Sequence, residues 1–146
     1  MANYNNDLHI YSLEIDRNKY ITPHFQVKEF ACKDGNNYVI VNKDLIYTLE
    51  KLFTVLNAKA INITSGYRTE AYSKKIGGKG PNDNHALGCA IDFWVKRQDG
   101  SRYSSEIIKN TLINIGHKGG IGIINNSCVH IDSGIRARNP FIFKEQ

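Results

Sequence analysis

Apolar residues recur at intervals of three and four between positions 45 and 56. Leu45, Ile46, Leu49, Leu52, Phe53 and Leu56 fall on one stripe, which predicts an amphipathic helix over about 42–57 with Asn42 as its N-cap. A second stripe of Ile107, Ile108, Leu112 and Ile115 begins behind Ser104 or Ser105 and stops at Gly116. Thr69 before Glu70 predicts a short helix reaching Ile76, stopped by Gly77 and Gly78. Thr22 as a cap and Pro23 in the first turn, followed by Phe25, Val27, Phe30 and Ala31, predict one more. Apolar runs bounded by turn residues predict strands at 60–63, 89–95, 120–124 and 129–131, and a strand or extended link at 38–41. The turn signals are Lys33-Asp34-Gly35-Asn36-Asn37, Lys79 to Asn84 and Asn125-Asn126.

Residues 1–20 are Asn-rich, with weak alternation in Leu8, Ile10, Leu13 and Ile15. They read as a loose arm or an edge element. The expected organisation is an N-terminal arm over 1–21 and one α+β domain over 22–146. A length of 146 residues with 41% hydrophobic and 23% charged residues supports one buried core. No run of 18 apolar residues is present, which argues against a membrane-spanning helix. The first 30 residues carry Asp7, His9, Glu14, Asp16, Arg17 and Lys19 between short apolar stretches. This is no signal-peptide pattern, so the general secretory route is not expected. The net charge of +5 fits weak attraction to a polyanion. With no zinc-finger spacing, Arg-rich helix or nucleotide-binding glycine motif, nucleic acid is not the expected partner. Cys32, Cys89 and Cys128 are odd in number and unpaired in spacing, which argues against a disulfide framework. A monomer is the default.

Three features carry chemistry: Ser65-Gly66-Tyr67-Arg68, His85 with Asp92, and Val129-His130-Ile131-Asp132. Singly they read as a loop histidine, a hydrogen-bonded carboxylate and a strand histidine. Together they offer imidazole nitrogen and carboxylate oxygen, the donors that zinc takes. Gly88, Ala90, Asp92 and Trp94 share one strand face, and Cys128, His130 and Asp132 share another. An aspartate in an apolar strand needs a cation or donors if it is buried. Gly77, Gly78 and Gly80 do not match a phosphate loop and read as a mobile lid or rim beside His85. Gly119, Gly120 and Gly122 read as a tight turn and a close backbone approach.

The order Ser-Gly-Tyr-Arg, a Gly-rich stretch, His-x-x-Gly-x-Ala-x-Asp, Gly-Gly-Ile-Gly and Val-His-Ile-Asp resembles the zinc D-Ala-D-Ala carboxypeptidase and peptidoglycan endopeptidase family. The likeness is to its small single-domain bacterial and bacteriophage branch, and it covers about residues 22–143. The segment from Phe25 to Gly35 also resembles the opening of many members. The resemblance implies a central, mainly antiparallel sheet with flanking helices, a fold shared with Hedgehog signalling domains. It implies zinc held by His85, Asp92 and His130. It places Arg68 at the site edge, holding a substrate carboxylate or polarising the peptide carbonyl, and Tyr67 near substrate. The implied reaction is hydrolysis of a peptide bond in peptidoglycan stem peptides or cross-links, by a carboxypeptidase or an endolysin-type endopeptidase. The implied setting is synthesis in the bacterial cytoplasm, then action on the cell wall after phage-type release or within a virion.

The chain departs from that family at the catalytic base. Members place an acidic residue three positions before the last histidine, where this chain has Ser127. Asp132 is the nearest acidic alternative, as base or as orienter of a ligand. His117 is a second candidate. Asp83 stands where members often have serine, and is expected to hydrogen-bond within the loop or add charge near the metal. Cys128 is either a small residue beside the site or a fourth ligand that would close it. The alternatives to an enzyme are an inactive zinc-binding module, structural or wall-binding, and a small binding domain without metal.

Overall fold

The computed structural model of the chain describes residues 7–134 and 141–144. The tail from Arg136 to Pro140 lies outside the described residues. The stretch set apart as an arm supplies β1 (Leu8–Ser12) and α1 (Leu13–Asp16). β1 pairs antiparallel with β4 (Tyr38–Asn42) in a two-stranded sheet, and Leu13 reaches the core.

The helix expected from Thr22 and Pro23 is not formed. Tyr20–Thr22 is β2, Phe25–Gln26 is β3, and Pro23-His24 is the hairpin turn between them. Proline suits a turn as well as a first helical position, and the pairing of β2 with β3 decides between them. Helical backbone starts later, as one 3₁₀ turn over Val27–Phe30. It is capped by Gln26, whose backbone N–H donates to the Glu29 carboxylate at 2.7 Å. Its spacing still buries Val27 and Phe30 completely.

The other helices follow their patterns. α2 is Lys43–Val55, and Asn42 Oδ1 accepts from Asp44 N at 3.0 Å. Leu45, Ile46, Leu49 and Leu52 are its buried face, while Phe53 and Leu56 are half-buried. α3 is Glu70–Lys75 and is capped by Thr69. α4 is Ser105–Asn114 and is capped by Ser104. Ile108 and Leu112 are buried in α4, but Ile107 is exposed. The expected apolar stripe is therefore narrower by that residue.

Five strands form the main sheet in the order β5-β6-β8-β7-β9: Ala60–Ser65, Ala90–Lys96, Val129–Asp132, Gly120–Ile123 and Phe141–Lys144. Every pairing is antiparallel except β7 with β9. α2 packs against β5 and β6, and α4 against β7 and β8. Ile91, Phe93, Val129, Ile131 and Ile121 belong to the core cluster. The alternate positions form a row across the sheet, with Ser65 opposite Asp92, Asp92 opposite His130, and His130 opposite Gly122. Strand alternation therefore puts oil on one face and chemistry on the other.

Adjacent positions in α4 test this account. Ile108→Ala should destabilise the fold by about 2–5 kcal/mol in urea unfolding. Ile107→Ala should stay within about 0.5 kcal/mol of the parent.

Candidate metal centre

Asp92 sits in the middle of β6 and is buried, with neighbours on both sides in the sheet. Three other segments bring polar groups to its carboxylate. β8 brings His130, whose Nδ1 donates to Asp92 Oδ1 at 2.8 Å. The loop after α3 brings His85, whose Nε2 lies 3.3 Å from the same oxygen. The Ser65-Gly66-Tyr67-Arg68 loop brings Arg68, whose Nη2 lies 3.6 Å from Asp92 Oδ2. Burial alone would raise the Asp92 pKa, but the His130 and His85 contacts outweigh it. They hold the carboxyl well below the usual carboxylate range.

Each imidazole is fixed from behind. His85 Nδ1 donates to the Gly66 carbonyl at 2.8 Å. That turns Nε2 toward Asp92, buried and without a hydrogen-bond partner. Gly66 allows this arrangement, because a Cβ there would lie 2.6 Å from Phe30 Cα. Tyr67 N also donates to the Phe30 carbonyl at 2.8 Å, which locks the loop onto the 3₁₀ turn. His130 Nε2 donates to Asp132 Oδ2 at 3.0 Å. Asp132 Oδ1 accepts from the backbone N–H groups of Gly120 and Gly134, both at 2.9 Å. A Cβ on Gly120 would meet that carboxylate at 2.6 Å, so only glycine lets the backbone come this close. Burial opposes charge on His130, yet its bonds to Asp132 and Asp92 push its pKa up to about 10.

The ligand atoms of His85, Asp92 and His130 all lie within 4.8 Å of one another, and all three residues are buried. They fit a divalent metal. His85 Nε2 is buried, has no hydrogen-bond partner and lies 3.3 Å from Asp92 Oδ1, where a cation could join the two. The proton that His130 Nδ1 shares with Asp92 is what a cation would displace. The Gly66 carbonyl and Asp132 then serve as the outer partners that fix ring orientation and tautomer.

Cys128 is not a member of this group. It closes the 124–128 turn through its backbone, accepting from Ile124 N at 3.0 Å. All three cysteines are free thiols. Ser127 lies in the same turn, and its hydroxyl accepts from Arg102 Nη1 at 3.3 Å. Arg102 also stacks over Trp94, with 3.9 Å to the ring centroid. His117 is buried and donates through Nε2 to the Gly120 carbonyl at 3.1 Å, so it holds the start of β7. Burial lowers its pKa, which leaves the ring neutral at pH 7.

Asp83 ties the Gly-rich loop, expected as a mobile lid or rim, to α3 and to Arg68. Its Oδ2 accepts from Ser73 Oγ at 2.7 Å and Arg68 Nη1 at 3.2 Å, and its Oδ1 accepts from His85 N at 2.9 Å. Ser73 Oγ in turn accepts from Gly80 N at 3.0 Å. The expected hydrogen bonding of Asp83 within its loop is present. Its bonds to Arg68 and to the fully buried Ser73 leave no mark in the residue pattern of the loop. The sequence signal for Ser73 is a small polar residue four positions after the Thr69 cap, on the inner side of a short helix.

A family model described as Peptidase M15 matches residues 23–132. The chain belongs to the peptidase M15 family. No curated protein matches it. M15 peptidases are metal-dependent, and the buried His85, Asp92 and His130 of this chain could hold the metal. The small α+β domain with its largely antiparallel sheet fits the same family. Among the described residues no helix is long and apolar enough to cross a membrane.

Asp132→Asn should lower zinc affinity by about 10–100-fold in chelator competition, although it removes no ligand. Unchanged affinity would show that the carboxylate does not orient His130.

Proposed function

We propose that this M15 family member is a zinc-dependent peptidase that hydrolyses a peptide bond in peptidoglycan stem peptides or cross-links. One observation carries the reading. His85, Asp92 and His130 converge while each imidazole is held at its far nitrogen, which is the preparation a catalytic metal needs. Zinc, when bound, supplies a Lewis acid and lowers the pKa of water.

The chain's own residues do the rest. Asp132 acts as the orienter of His130, because both of its oxygens already accept hydrogen bonds. Arg68 holds Asp92 and Asp83 in place from one side. Tyr67 lies beside Arg68 in the lining of a pocket at the site edge. Peptidoglycan is the favoured substrate because the family resemblance points to it and the +5 net charge suits an anionic wall polymer.

One observation favours a second reading, a zinc-holding module without turnover. Ser127 occupies the base position, and its hydroxyl is far too weak a base at neutral pH. Both oxygens of Asp83 and both of Asp132 already accept hydrogen bonds.

Digestion of purified peptidoglycan with the zinc-loaded protein, read by mass spectrometry of the new peptide ends, separates the two. Cleavage is expected from the native protein, lost on chelation, restored by zinc and absent from His130→Ala. Binding of one zinc per chain without cleavage of several wall types would overturn the enzyme reading and leave the module.

A further inference from the structure

Beside the metal centre lies a pocket whose lining includes Lys33, Ser65, Tyr67, Arg68, Tyr72 and Ile76. Its lining holds two cations and no carboxylate. The two cations are not equivalent. Arg68 is largely enclosed and committed to the fold, with Nε on Ser65 Oγ at 3.1 Å, Nη1 on Asp83 and Nη2 facing Asp92. Two buried carboxylates thus more than balance its charge.

Lys33 is exposed and makes no hydrogen bond or ion pair among the described residues. The acid next to it in sequence is already engaged. Asp34 accepts from Thr69 Oγ1 at 2.7 Å and from Asn36 N at 2.9 Å. Lys33 sits here because Tyr67 N is bonded to the Phe30 carbonyl and Thr69 N donates to Cys32 Sγ at 3.5 Å. These contacts strap residues 30–34 along the Ser65–Thr69 loop. The segment from Phe25 to Gly35, which supplies none of the three candidate ligands, thereby delivers a cation to the rim of the site.

We infer that Lys33 is a specificity-determining residue that receives a carboxylate of the peptide substrate in this pocket. The phenol rings of Tyr67 and Tyr72 and the half-exposed Ile76 side chain flank the place where the carboxylate sits. They suit a substrate whose anionic group is carried on an aliphatic stem. A lysine ammonium can donate to such a group without the fixed fork that Arg68 uses on the protein itself. The inference rests on the peptidase reading, and it names which part of the substrate that site selects.

The test uses the zinc-loaded full chain and the pentapeptide L-Ala-γ-D-Glu-L-Lys-D-Ala-D-Ala. Two further peptides carry an amide in place of the D-Glu α-carboxylate or of the C-terminal carboxylate. The readout is the acid-to-amide ratio, taken as kcat/KM if the peptide is cleaved and as Kd by calorimetry if it is not. The native protein should favour the acid over one of the amides by about tenfold, the scale of one charge-assisted hydrogen bond. Lys33→Met should bring the ratio to about one, and Lys33→Arg should keep most of it. The amidation that matters identifies the carboxylate. A Lys33→Met protein that retains the native ratio, or a native protein indifferent to both amidations, would overturn the inference. Absence of cleavage counts against the peptidase reading alone, because the binding ratio still decides the role of Lys33.

Discussion

Asp92 is a carboxylate buried on the second strand of a five-stranded sheet, and the architecture around it answers that one charge. An unpaired carboxylate in such a place would cost several kcal/mol or stay protonated. The chain meets the demand with groups from three distant segments: the Ser65–Arg68 loop, the loop carrying His85, and β8. Each of those groups then needs support of its own. Gly66 holds His85, Asp132 holds His130, and Asp83 balances Arg68. The metal-ligand geometry and the packing of the loops are therefore one problem with one solution.

Much of this was legible in the order of the residues. The stripes of α2 and α4, their caps and the short apolar strands follow from local pattern, because packing and propensity agree there. The pattern failed where one residue pair suits two structures. Thr22-Pro23 opens a helix or turns a hairpin equally well, and pairing of β2 with β3 made the choice. Ile107 belongs to the α4 stripe by spacing yet is exposed, while Ile108 and Leu112 are buried.

The site was legible in part for a similar reason. The three candidate ligands stand in motifs, so their residue types show in sequence. What supports them is backbone and contact geometry, which leaves little trace in residue identity. The approach of Gly120 to Asp132 shows only as one glycine among several. The engagement of Asp83 with Arg68 and Ser73 depends on α3 and the following loop folding back together. Lys33 looks like one surface lysine of many until the 3₁₀ turn is seen strapped to the Ser65–Arg68 loop. The Gly-rich loop is held by the same carboxylate that balances Arg68.

The alternation in Val129-His130-Ile131-Asp132 has a further consequence. Val129 and Ile131 face the core while His130 and Asp132 face the metal row, all from four consecutive residues. A slip of β8 by one residue against β6 would reverse every side chain. Two aliphatic groups would enter the polar row, and an imidazole and a carboxylate would be pressed among Ile91, Phe93 and Ile121. Neither error could relax without undoing the other. The strand therefore proofreads its own pairing as the sheet assembles, and a chain that has closed its core has already set His130 opposite Asp92.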